Sequence, residues 1–338
     1  MTATFSHGCL NISMAQIRDT ESQTIIPLRS HHTFGRSGDR TDTLVSSPIT
    51  SRIHLALEWD GQRWNARDLS KNGTWLGTTR LLANENTPLQ AGDMLHLGSP
   101  DMPPLELIDD SAPFSALLGA GHAPSLTLQS FVFLPDQQTP EAVVSYSYQQ
   151  RSWVVRSMDQ DTSAQSSDIL HHGDRLSYAD MEWQVFLAET QQSTEISQAP
   201  ENSIEDIKFV FELSQDEENT ALHLKLTDRE LSLGERSHHY LLLHLARQRA
   251  MEAANGFDGK SQGWIDNDQV KKDLGMDMPH INIMIFRARK QIAESMDDSF
   301  DSELLVERGK GRMRFGGSQF QIFKGEKLAF ALPPPDAP

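Results

Sequence analysis

Apolar residues come in short alternating bursts over most of the first two hundred positions. Ile12, Met14 and Ile17, then Ile25, Ile26 and Leu28, mark one or two strands within residues 8–30. Leu55-Ala56-Leu57-Glu58-Trp59 and Trp64-Asn65-Ala66-Arg67 flank Asp60-Gly61, a dipeptide suited to a tight hairpin turn. Leu89-Gln90-Ala91-Gly92-Asp93 leads into Met94-Leu95-His96-Leu97, and Leu105-Glu106-Leu107-Ile108 follows. Short strands punctuated this way predict an all-β sandwich over residues 1–110. Ala112-Pro113 and Gly119-Ala120-Gly121 mark 111–125 as a linker.

A fainter copy follows in residues 124–190. Tyr146 to Val155 echoes Leu57 to Ala66, His172-Gly173-Asp174-Arg175-Leu176 echoes Ala91 to Leu95, and Trp183 to Leu187 stands where Leu105 to Ile108 stood. Trp64 and Gly92 are 28 positions apart, Trp153 and Gly173 only 20, so the second copy is short by one loop. Residues 191–203 are polar and read as a flexible linker. From residue 204 the pattern changes. Ile207 to Leu213 and Ala221 to Leu226 alternate as two strands around the acidic turn Asp216-Glu217-Glu218-Asn219. Leu241, Leu242, Leu245 and Ala246 then meet at helical spacing in a helix from about Gly234 to Met251. A shorter helix spans about Asp266 to Leu274. A third spans about Pro279 to Glu294, with Asp277 near its start and Pro279 suited to its first turn. Leu304 to Phe315 predicts a hairpin with a basic, glycine-containing tip, and 326–338 reads as a tail.

Three islands break the first sandwich: Gly35-Arg36, then Ser47-Pro48-Ile49-Thr50-Ser51-Arg52-Ile53-His54, then Asp68-Leu69-Ser70-Lys71-Asn72-Gly73-Thr74-Trp75-Leu76. Each lies between apolar alternating segments and so on a loop. Two guanidinium groups, a hydroxyl and an amide on neighbouring loops suit a phosphate dianion carried by a peptide, because charge-assisted, often bidentate bonds hold it. In order and spacing the islands resemble the signature of a forkhead-associated (FHA) domain. The resemblance implies that Arg36, Ser51 and Arg52 contact the phosphate of a phosphothreonine. It also implies that Asn72, with Lys71 before it, holds the ligand main chain. His54, Gly35 and Gly73 would shape the loops. Gly77 departs from the family, which commonly places a second asparagine there. The second copy lacks these loops and resembles a degenerate FHA-like sandwich, with an unrelated small β-domain as the alternative.

Strand pair, three helices and hairpin over residues 204–325 resemble the winged helix-turn-helix of OmpR-type response regulators. Ile281 to Lys290 resembles the recognition helix, and Arg308 to Phe315 the wing. Ile281, Ile285, Ala288 and Ile292 fall on one stripe that would pack inward. His280, Met284, Arg287 and Gln291 lie beside it on a face able to enter the major groove, with Arg289 and Lys290 within reach of phosphates. No acidic residue occurs from His280 to Ala293, and the wing carries Arg308, Lys310, Arg312 and Arg314 against Glu307. Such local positive charge suits DNA binding. A solvated basic face, or a protein-docking one, is the plainer reading of the same residues.

Charge and composition narrow the function. The formal net charge is −17, which argues against indiscriminate nucleic-acid binding by the whole molecule. The single cysteine, Cys9, excludes an internal disulfide and fits a reducing cytoplasm. No apolar run reaches membrane-spanning length, and the N-terminus lacks the features of a signal peptide. The pairs His31-His32, His171-His172 and His238-His239 lack companion ligands at metal spacing. No phosphate-cradling, dinucleotide or nucleophile motif occurs, so neither catalysis nor a cofactor is expected. The expectation is a multidomain protein: an all-β FHA sandwich, a degenerate second one, then an α+β winged helix-turn-helix. Its role would be a cytoplasmic, bacterial-type transcription regulator whose partners are a phosphothreonine-containing protein or Ser/Thr kinase and double-stranded DNA, on which a homodimer is one arrangement. The alternative is a phosphorylation-dependent adaptor whose winged helix docks protein.

Overall fold

A computed structural model describes residues 13–128, 131–158, 167–188, 203–296 and 300–334. Strands predominate, three helices lie near the C-terminus, and the chain divides into two compact units: 1–128 with 171–196, and 129–170 with 197–338. No described helix is long and apolar enough to cross a membrane.

The first unit holds two sheets of the expected sandwich. One has the order Thr43–Leu44, His31–Gly35, Leu55–Trp59, Trp64–Asp68, Asn86–Leu89. The other runs Ile25–Pro27, Gln16–Asp19, Leu105–Asp109, Met94–Leu97, Thr74–Leu76, Thr79–Arg80. Ile17, Phe34, Leu55, Leu57, Trp64, Leu95 and Leu107 are fully buried in their common core. The Asp60-Gly61 turn closes its hairpin with Gly61 at φ 95°.

The same unit contains a four-stranded sheet, Leu126–Thr127, Ala116–Ala120, Met181–Phe186, Arg175–Tyr178. Ala116–Ala120 falls where the sequence suggests a linker, so that expectation is corrected. Ala116 and Leu117 are fully buried, and the strand pairs along its whole length with Met181–Phe186. Gly119 belongs there for a close approach rather than for flexibility, since a Cβ would sit 2.0 Å from the Ala123 carbonyl oxygen. One turn is built twice in the two stretches that the sequence pairs. The Gln90 N–H donates to the Asp93 carboxylate at 2.8 Å and the His171 N–H to that of Asp174 at 2.7 Å. Gly92 (φ 95°) donates to the Leu107 carbonyl at 2.7 Å, and Gly173 (φ 91°) to that of Val185 at 2.8 Å.

The second unit holds the other strands of residues 124–190: Phe131–Leu134, Ala142–Ser147, Ser152–Ser157 and Asp168–Ile169 form a four-stranded antiparallel sheet. Its remaining part is a five-stranded sheet, three helices and a hairpin. The expected strands appear as Lys208–Leu213 and Thr220–Lys225, joined by Glu230–Glu235, which the sequence reading did not foresee. Gln319–Lys324 pairs in parallel with Lys208–Leu213, and Lys327–Leu332 pairs with Gln319–Lys324. The expected tail is therefore corrected over 327–332. Its alternating Leu328, Phe330 and Leu332 supply a face to cover.

Helix α1 spans Ser237–Ala254, α2 Asn267–Leu274 and α3 Met278–Ser295. The Asp277 carboxylate caps α3 by accepting the His280 N–H at 3.0 Å, with Pro279 in the first turn. The hairpin strands Val306–Gly309 and Arg312–Phe315 pair across Lys310-Gly311, both at positive φ (50° and 75°), as a two-residue turn between right-twisted strands requires. Phe315 anchors the hairpin: it is fully buried, with ring centroids 5.0 Å from Phe209, 5.8 Å from Phe211 and 5.7 Å from Phe320. Phe315→Ala should cost about 3–5 kcal/mol through lost burial and the cavity left behind. Urea unfolding followed by a probe in α1 should show this loss; a shift below 1 kcal/mol would contradict the packing.

Candidate functional site

The three islands converge at one end of the first sandwich. Gly35 lets two loops touch, since a Cβ on it would lie 2.2 Å from the Arg52 carbonyl oxygen. The Arg36 N–H donates to the Ser51 carbonyl at 3.0 Å, so the two arginine-bearing loops are bonded directly. The fully buried His54 fastens the third loop from behind. Its Nδ1 accepts the Ser51 N–H at 2.9 Å and its Nε2 donates to the Gly73 carbonyl at 3.1 Å, an arrangement that needs the neutral imidazole. Burial lowers the His54 pKa accordingly, against the opposing pull of the Gly73 carbonyl and Asp68.

The remaining bonds set the loop that carries Asn72. The Lys71 N–H donates to Ser51 Oγ at 3.1 Å, and Asn72 Nδ2 to the Ile49 carbonyl at 2.6 Å. The buried Asp68 carboxylate accepts from Ser70 N at 3.1 Å and Thr74 Oγ1 at 2.9 Å. Arg80 is a member the sequence reading missed. It donates to the Asn72 carbonyl at 3.0 Å while its guanidinium lies 5.3 Å from the Trp75 ring centroid. Gly73, at φ 105°, leaves room for that guanidinium; a Cβ would stand 2.5 Å from Arg80 Nε. The pairing of Trp75 with Arg80 across a two-residue turn at Gly77 was the available signal.

Arg36, Arg52, Lys71 and Asn72 are exposed, and Ser51 is half-buried. Among the described residues the guanidinium groups of Arg36 and Arg52 make no ion pair, although Arg52 adds to the pull on Asp39. That exposed carboxyl is held below the usual range first by the Ser37 hydroxyl. The loops are thus held mostly by neutral groups, together with Asp68 and Arg80, and the cationic side chains of Arg36, Arg52 and Lys71 stay outward. Such a surface can take a multiply charged anion through charge-assisted bonds.

The residues expected on DNA are placed unevenly. His280 and Arg287 are exposed on α3, and Lys310 and Arg312 at the hairpin tip. Met284 is not outward. It is 8% exposed and lies in the main core, because α3 is apolar on more than one side. Arg289 is 3% exposed, and its Nη2 donates to the carbonyls of Glu303 at 2.8 Å and Val306 at 3.0 Å. Desolvation brings its pKa down to about 9. Arg314 is buried, donating to Glu307 at 2.8 Å and to the Gly259 carbonyl at 2.9 Å. Arg308 donates to Asn282 Oδ1 at 2.5 Å. Lys290 is half-buried, 5.8 Å from the Phe133 ring centroid. Gln291 faces α1, accepting from His238 at 2.7 Å and His239 at 2.9 Å. Ile281, Ile285, Ala288 and Ile292 are buried in the core as the stripe requires.

Residues 32–98 match the model of the FHA domain. Several solved structures are similar to part of the chain. Mycobacterium tuberculosis Rv1747 FHA-1 is 31% identical, with 28% of this chain and 95% of that one covered and a TM-score of 0.24. The N-terminal FHA domain of S. cerevisiae Rad53p, crystallised with a phosphothreonine peptide, is 26% identical over 28% of this chain and 90% of that one, with a TM-score of 0.25. Mycobacterium tuberculosis EmbR, in complex with a low-affinity phosphopeptide, is 25% identical over 30% of this chain and 25% of that one, with a TM-score of 0.26. Among curated proteins none matches this chain.

Acid should loosen this framework. Burial lowers the pKa of His32 from 6.5 to about 4 and also lowers that of His54. The unfolded chain therefore binds more protons than the folded one between these values, so stability is full above about pH 6.5 and falls on acidification. Thermal unfolding of the first unit's tryptophan signal, between about pH 7.5 and pH 5, should show a level midpoint down to about pH 6.5 and a fall below it; a profile flat throughout would contradict neutral, buried histidines.

Proposed function

We propose, on the premise that residues 32–98 are an FHA domain, that this chain binds phosphothreonine peptides in Ser/Thr-kinase signalling through Arg36, Ser51, Arg52, Lys71 and Asn72. The observation that carries this reading is the pair of exposed arginines, free of ion pairs among the described residues, on loops fastened by His54. Ser51 Oγ already accepts the Lys71 N–H, so its own hydrogen remains to donate to a phosphate oxygen. Asn72 uses one amide hydrogen on Ile49 and keeps its carbonyl oxygen and second hydrogen for a peptide backbone.

The C-terminal part, read as a winged helix, makes the protein a transcription regulator with duplex DNA as its second ligand. Of the cations expected on DNA, Arg287, Lys310 and Arg312 are exposed, with Lys290 and Arg308 half-exposed. Arg312 and Arg314 flank the Trp264 ring at 5.9 and 4.8 Å, which stiffens the hairpin that carries them. One observation favours the adaptor instead: much of α3 is already packed against protein. Capture of genomic DNA by the intact chain separates the two, since discrete peaks support the regulator and an empty map with a phosphorylated protein partner supports the adaptor.

Arg36→Ala or Arg52→Ala should weaken binding of a phosphothreonine peptide by about 2–5 kcal/mol, the scale of removing one partner from a bound charge pair. Calorimetry with the peptide and its unphosphorylated twin checks this; equal binding of both forms would refute the reading. Lys310→Ala and Arg312→Ala should weaken all DNA sequences alike and reduce the salt slope by about one per charge removed. Gel shifts over a salt series measure it, and an unchanged slope counts against a hairpin on phosphates.

A further inference from the structure

Helix α3 packs on two faces. One carries the stripe of Ile281, Ile285, Ala288 and Ile292 and joins the main core. The other carries Asn282, Phe286 and Ala293, which are 3, 2 and 3% exposed. This second face meets the sheet of residues 131–169 in a separate small cluster: Phe131, Phe133, Val143 and Met158 against Phe286 and Ala293. Polar bonds frame it. Asn282 Nδ2 donates to the Met158 carbonyl at 2.9 Å, Arg287 donates to the Gln137 carbonyl at 2.7 Å, and Arg156 pairs with Glu303 at 2.5 Å. What remains exposed along α3 past its cap is the line His280, Arg287 and Glu294, one residue per seven, and Arg287 is already bonded to Gln137. A single line of side chains is too narrow to read base edges across a major groove about 12 Å wide.

We propose that the sheet of residues 131–169 is a detachable cover on α3, occupying in this conformation the surface that duplex DNA would take. The inference rests on the reading of the C-terminal part as DNA-binding. Two features make the cover separable from the fold. Its apolar contact has six buried residues among those described and forms no part of the core that holds α1, α3 and the five-stranded sheet. The groups that bind it on the helix side, Asn282 and Arg287, carry the amide and guanidinium used for bidentate contacts with adenine and guanine edges. With the sheet in place these groups bond to backbone carbonyls of residues 137 and 158; with it gone the amide of the buried Asn282 loses its acceptor and the Arg287 guanidinium is released, and base edges offer partners to both. The wing is drawn into the same device, since Asn282 Oδ1 also accepts from Arg308.

The test uses the full chain and changes the cover only. Phe131→Ala with Phe133→Ala empties the sheet's side of the contact, and Phe133→Leu is the milder version should the double variant unfold. Sheared genomic duplex DNA from the source organism is titrated at two salt concentrations, and amide exchange is followed in α1 and α3. The expected result is a tenfold or greater gain in DNA affinity, with faster exchange in α3 and unchanged exchange in α1. Faster α3 exchange with no gain in affinity, while Lys310→Ala still weakens binding, overturns the cover and leaves the DNA reading standing. Salt-dependent binding by none of the proteins overturns both.

Discussion

A helix with apolar residues on more than one side has to be covered on more than one side, and α3 imposes that constraint on the C-terminal half of the molecule. Its core stripe calls for α1 and the five-stranded sheet, and its second face, centred on Phe286, calls for the sheet of residues 131–169. The hairpin is tied to α3 through Arg308 on Asn282 and Arg289 on the carbonyls of Glu303 and Val306. Removing any of these neighbours would leave either bare hydrocarbon or a buried polar group without a partner, and an unpaired buried group costs roughly 1–3 kcal/mol. The arginines expected to seek phosphate are partly conscripted by this requirement. Arg289 and Arg314 each reach backbone carbonyls inside the fold.

The N-terminal half solves the opposite problem. Its strand connections must hold a fixed shape while leaving cations in water. Neutral groups do most of the holding: one imidazole, the hydroxyls of Ser51, Ser70 and Thr74, a carboxamide and several carbonyls. The charged exceptions are the buried Asp68 carboxylate and Arg80, a brace whose long side chain lies over Trp75 and whose head reaches the Asn72 carbonyl. The negative total of the chain is compatible with both proposed ligands because interactions of exposed charges are screened over about 8–10 Å, so a local patch matters more than the sum.

What could be read in the residues depended on how local the cause was. Hairpins closed by Asp60-Gly61 and Lys310-Gly311, the capped start of α3 at Asp277 and the inward stripe of Ile281, Ile285, Ala288 and Ile292 follow from contacts within a few positions. The three loops were legible because each needs particular residues, Gly35 for backbone approach and His54 for its two bonds. Other features escaped because their causes lie far off in sequence. Ala116–Ala120 is a strand because Met181–Phe186 lies beside it, and Lys327–Leu332 because Gln319–Lys324 does. Met284 and Arg289 looked outward on a single-stripe helix. They are inward because the acceptors at Glu303 and Val306 and the surrounding core are supplied by other segments.

The bond from the Lys71 N–H to Ser51 Oγ has a consequence for kinetics and heat. Together with the His54 bonds it ties the three loops to one another, so little conformational freedom would remain for them to lose on binding the proposed phosphopeptide. The ordering cost of association then falls almost wholly on the incoming segment, which is typically unstructured. Selectivity among phosphorylated segments would follow how readily each one extends in solution as well as which side chains it carries. A proline or β-branched neighbour that stiffens the segment would then gain affinity without touching the receptor at all.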